Sequence, residues 1–118
     1  MNRNHMLTPP DKNGMLRCTD PKLLLATFAK GIGFGLPAPT VLCRQVMACL
    51  GTAKYIEIGL PVEGKPPYVL VGYPSKNGDY LALRRAGFVR QSARCELICW
   101  VGRPLEEVED LDRAPRGP

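Results

Sequence analysis

The chain changes its hydrophobic period several times, and each change marks an element. Behind Asp20, a helix-capping residue, Pro21 suits the first helical position, where a missing amide hydrogen costs nothing. Apolar residues then recur at helical spacing, which predicts a helix through Lys30 with Leu24, Leu25, Phe28 and Ile32 on one face. Gly31 would end it in a left-handed turn. A second helix is expected from Pro39 or Thr40 to Leu50, with Val41, Leu42, Val46, Cys49 and Leu50 inward and Gly51 as its cap. Between the two lies GIGFGLPAPT, residues 31 to 40. Its alternating glycines invite comparison with phosphate-cradling loops, but those join a strand to a helix and space their glycines differently. The segment reads as a connector in which glycine allows close backbone approach.

From Lys54 the period falls to two. Ile56, Ile58 and Leu60 alternate with Tyr55 and Glu57, the pattern of a half-buried strand, and residues 61 to 67 supply the turn. YVLVGY, residues 68 to 73, is apolar almost throughout, as a central strand should be, and Pro74 ends it. Ser75, Asn77 or Asp79 can cap a third helix carrying Tyr80, Leu81, Leu83 and Ala86. Gly87 and Phe88 then fit a Schellman ending. Val89 starts a strand, residues 91 to 93 turn, and residues 95 to 101 form another strand with Leu97, Cys99 and Val101 on one face and Glu96, Ile98 and Trp100 on the other. Pro104 opens a last short helix in which Leu105, Val108 and Leu111 dock. The order specifies an α+β single domain: two N-terminal helices, a β-hairpin, a helix, a β-hairpin and a short C-terminal helix, with a mostly antiparallel sheet covered on one face. The expected organisation is a flexible arm over residues 1–18, with a short strand at Met15 to Cys18, the domain over 19–112 and a disordered tail over 113–118.

Charge adds an asymmetry to this plan. The chain carries 16 Lys and Arg against 11 Asp and Glu, but Glu106, Glu107, Glu109, Asp110 and Asp112 all fall in the last fifteen residues. Without residues 104 to 118, 14 cations face 6 acids. Such a body favours polyanions. Residues 23 to 43 contain a single charge, Lys30, yet glycines and prolines interrupt them, so no membrane span is expected. No signal peptide is apparent in the polar N-terminal stretch, and a soluble cytoplasmic protein is expected. The five cysteines, Cys18, Cys43, Cys49, Cys95 and Cys99, lack both the dense spacing of a disulfide scaffold and the paired spacing of a zinc site, so they are read as reduced packing residues.

Candidate chemistry is sparse. His5, the single histidine, sits in the arm, and Asp20, Glu57, Glu63, Asp79 and Glu96 are scattered, so no catalytic constellation, cofactor or metal is expected and the protein is read as non-enzymatic. The order helix, helix, hairpin is shared with winged helix-turn-helix proteins, but the connector is long and the second helix carries one arginine, Arg44. The leading expectation is contact with nucleic acid or a nucleoprotein through Arg84, Arg85, Arg90, Arg94, Arg103 and Lys76, assisted by Lys54 and Lys65 and by stacking on Tyr55, Tyr73, Tyr80 or Trp100. Phosphate-forking arginines that cluster at a helix end and the next turn carry that expectation. The alternative is a small adaptor or inhibitor, of the kind phages, plasmids and other mobile elements encode, that binds another protein through Phe34 and Leu36 and leaves the acidic tail for a further contact.

Overall fold

A computed structural model describes residues 15–17, 20–59, 61, 63–74 and 77–113. The leader with His5, together with Cys18, Leu60, Ser75, Lys76 and the end of the tail, lies outside the described residues. The elements are β1 (Met15–Arg17), α1 (Pro21–Ala29), α2 (Pro39–Met47), β2 (Tyr55–Gly59), β3 (Tyr68–Gly72), α3 (Asn77–Arg85), β4 (Val89–Arg90), β5 (Glu96–Trp100) and a 3₁₀ turn over Leu105–Glu107. The strands form one sheet in the order β1-β2-β3-β5-β4, every neighbouring pair antiparallel. This is the expected α+β order, and the short strand expected near Met15 pairs with β2 as the edge strand β1. No helix among the described residues is long and apolar enough to cross a membrane.

Alternation explains how the sheet is covered. Ile56, Ile58, Val69, Val71, Leu97, Cys99 and Val101 point to the face on which the helices lie, and there they meet Leu24, Phe28, Leu42, Val46, Leu83 and Phe88. Phe28 and Phe88 meet edge to face at 6.4 Å. On the opposite face Leu70, Val89 and Ile98 gather with Val108, flanked by Tyr55, Tyr68 and Trp100. β3 is apolar throughout because it is central and buried on both faces. The glycine at each end of its pairing with β2 is constrained: a Cβ on Gly59 would overlap the Tyr68 ring, and one on Gly72 the Tyr55 ring.

Local chemistry sets the element ends. Asp20 accepts from the Lys22 amide at 2.9 Å, with Pro21 in the first turn. Phe88 donates its amide to Leu83 O and Gly87 donates to Arg84 O, the paired bonds of a Schellman ending, with Gly87 at φ +101° and Phe88 in the core.

Several expectations are corrected. α1 ends at Ala29 with Lys30 as its right-handed cap, so Ile32 is not on its face and is 69% exposed. Gly31 supplies close approach instead of a left-handed turn: a Cβ there would lie 3.1 Å from the Gly102 nitrogen. Gly33 and Gly35 have no atom within 4 Å of such a Cβ and are needed for their positive φ. Leu50 and Leu81 are exposed, because α2 stops at Met47 and only Leu83 and Ala86 of the α3 stripe reach the core, with Tyr80 partly buried. Asn77 begins α3 and Asp79 lies within it, accepting from the Thr52 hydroxyl, so neither is the cap. The C-terminal helix is only the 3₁₀ turn; Val108 docks, but Leu111 is exposed.

Candidate functional site

The predicted arginines separate into two groups. Arg84 and Arg90, at the end of α3 and in β4, converge on the acidic C-terminal segment. Arg84 Nη2 lies 2.7 Å from Asp110 Oδ2, and its Nη1 donates to Phe88 O at 2.9 Å. Asp110 also accepts from the Arg90 amide at 3.3 Å and the Asp112 amide at 3.0 Å, and its side chain is 3% exposed. Asp112 accepts from the Tyr80 hydroxyl and pairs with Arg90 Nε at 3.1 Å, without the alignment of a hydrogen bond. Leu111 donates to Arg90 O of β4, and Arg113 donates to the carbonyls of Val108 and Leu105. The segment is therefore clasped to the domain. Burial pushes the Asp110 carboxyl up, but the Arg84 hydrogen bond, the two backbone amides and the Arg84 charge bring it below its ordinary value.

The second group stays outside the clasp. Arg94, in the turn before β5, and Arg103, after it, are exposed, and Arg85 is exposed on α3. Lys54 stacks over the Tyr73 ring at 5.1 Å. The aromatics proposed for stacking are engaged: Tyr55 donates to Glu96, Tyr80 to Asp112, and Trp100 Nε1 to Gln91 at 2.9 Å while its ring lies 4.9 Å from that of Tyr68. Arg84 and Arg90 are thus held by the clasp, while Arg85, Arg94 and Arg103 remain exposed outside it.

The glycine connector presents a different surface. It is pinned at one end where Gly31 meets Val101 and Gly102, and at the other where Leu36 reaches toward Gly31 and Gly87. Between those anchors Gly33 and Gly35 adopt φ of +92° and +77°, and the chain arches outward, leaving Ile32 69% and Phe34 40% exposed. Exposed aliphatics elsewhere, Leu50, Leu81 and Leu111, belong to three separate segments. Beside the arch is an open hollow of about 310 Å³ lined by Gly35, Leu36, Pro37, Arg85, Ala86, Gly87 and Leu105. Arg85 is its one charged lining group. Gly87 forms its floor as well as ending α3: a Cβ there would lie 2.8 Å from Leu36 Cδ2 and 3.5 Å from Leu105 Cδ1.

A smaller hollow of about 120 Å³ lies on the opposite sheet face among Leu70, Gln91, Ser92, Glu96 and Ile98. Glu96 is its single titratable lining group, and both of its oxygens already accept, from the Tyr55 and Ser92 hydroxyls. Burial, followed by the bond to Glu96, pushes the Tyr55 hydroxyl up. Cys43, Cys49 and Cys99 are buried free thiols; burial pushes Cys49 up to about 11 and Cys99 up to about 12, which suppresses the reactive thiolate. No group of three or more metal-ligating side chains occurs among the described residues.

Of the sequence-named residues, Phe34, Leu36 and Arg85 are brought to one end of the molecule, and Arg84 and Arg90 to the clasp. Lys76 lies outside the described residues. The sequence reading missed Ile32, Gly87 and Leu105 as parts of a surface, although the unbroken apolar content of GIGFGLPAP was a signal for the first. No protein-family model matches the chain, and no curated protein or solved structure shows significant similarity to it.

Proposed function

We propose that this protein is a small binding module that engages a partner protein through the arched connector, with Ile32 and Phe34 as the projecting contacts and the neighbouring hollow as a receptacle. The observation that carries this reading is the exposure of two large apolar side chains on a segment whose ends are both fixed. Adjacent exposed apolar groups on a positioned loop are typical of interaction sites, and a fixed loop loses little entropy on binding. The test is affinity capture from the source cells with wild type, Ile32→Ser/Phe34→Ser and Arg94→Ala/Arg103→Ala proteins. A protein partner lost with the first variant and retained with the second supports the reading. Capture unaffected by the first variant rejects it.

Nucleic-acid contact is the second reading, and the exposure of Arg85, Arg94 and Arg103 outside the clasp favours it. Its mechanism is phosphate neutralisation. Oligonucleotide affinity would then fall with salt at a log-log slope of about −0.9 per neutralised phosphate on duplex DNA, and the slope would flatten in the triple alanine variant.

A further inference from the structure

We infer that the hollow between the connector and the end of α3 receives an apolar side chain of an extended peptide segment whose adjacent carboxylate pairs with Arg85; this rests on the partner-protein reading above. The lining sets the chemistry. Leu36, Pro37 and Leu105 form apolar walls, and Gly35 and Gly87 add no side chain, so the space between them remains open. Its volume of about 310 Å³ is at the lower end of ligand sites, suited to one anchoring side chain of a longer segment.

Charge complementarity sets the sign of the neighbouring group. Arg85 is exposed at the hollow and makes no ion pair among the described residues, unlike Arg84 next to it. No carboxylate of the described residues lines the hollow, and Asp110 and Asp112 are engaged in the clasp. A guanidinium at the rim of a hollow walled by Leu36, Pro37 and Leu105 forks onto a carboxylate and rejects a cation. The occupant is therefore an apolar-acidic segment of another protein.

The test uses acetylated, amidated heptapeptides with Gly and Ser flanks around a central Leu-Asp, Leu-Asn, Leu-Lys or Ala-Asp pair, titrated into ¹⁵N-labelled full-length protein. Binding of Leu-Asp should shift the amides of Gly35, Leu36, Gly87 and Leu105. Leu-Asn and Ala-Asp should bind at least threefold more weakly, and Leu-Lys more weakly still. Arg85→Glu, a surface change whose folding the same spectrum checks, should reverse the order of Leu-Asp and Leu-Lys. Equal affinity of the Asp, Asn and Lys peptides at the hollow overturns the carboxylate inference while leaving the partner-protein reading intact. Absence of shifts at those amides with every peptide overturns the inference too, and the capture experiment with Ile32→Ser/Phe34→Ser then decides the reading separately.

Discussion

The clasp and the connector are the two regions of this molecule that stand out in its sequence, one for its arginines and the other for its glycines, and the structure treats them in opposite ways. At the clasp, Arg84 and Arg90 are balanced by Asp110 and Asp112, and the surrounding amides and the Tyr80 hydroxyl complete the network. At the connector, Ile32 and Phe34 have no such cover. A conspicuous charge cluster is thus consumed by folding, while an apolar run is held away from the core. The difference teaches that concentration in the sequence does not predict what the fold leaves exposed.

The largest expected effect lies at the clasp. Asp110→Ala removes an almost fully buried carboxylate and the 2.7 Å partner of Arg84, and it should lower stability by about 2 kcal/mol in urea unfolding. An effect no larger than that of an ordinary surface substitution would break the contrast between the regions.

Much of this fold was legible before any coordinates, because its signals are local. The Gly87-Phe88 ending needs only one helix turn, and the alternation of Leu97, Cys99 and Val101 with Ile98 and Trp100 needs only the strand itself. The clasp was not legible in this way. Arg90 and Asp110 are 20 residues apart, and nothing in the spacing of either says that the C-terminal segment returns to the edge of β4. Ile32 lies off the helix face for a related reason: α1 ends before Gly31, where close packing against Gly102, and not a turn preference, decides the path.

A smaller effect concerns acid. Asp110 titrates below its ordinary value when folded, so its stabilising contribution is complete above the unfolded carboxylate range, near 4, and is lost as pH falls through the folded value. The stability gap between wild type and Asp110→Asn should be constant near neutrality and close progressively at lower pH. A gap that does not change on acidification would contradict the assigned role of this carboxylate.

At the connector, Gly33→Ala and Gly35→Ala have ample space but unfavourable φ, and each should cost about 1 kcal/mol. Gly78→Ala, in a helix with open space around it and no positive φ, should stabilise by roughly 0.5 kcal/mol and serves as the control. Thermal unfolding of the three variants distinguishes backbone strain from crowding. The smallest effect belongs to Ile32→Ser/Phe34→Ser, which should change stability by no more than about 0.5 kcal/mol per site while removing partner capture. A large loss of stability would place these side chains in the folding account instead of the binding one.

The central claim is that contact is made at the connector and not through the arginines beyond it. Photo-crosslinking with p-benzoylphenylalanine in place of Phe34 or of Arg94, in the source cells, tests this most directly. The account predicts a discrete, nuclease-resistant protein adduct from position 34 and none from position 94. A nuclease-sensitive adduct from position 94, with position 34 silent, would contradict it.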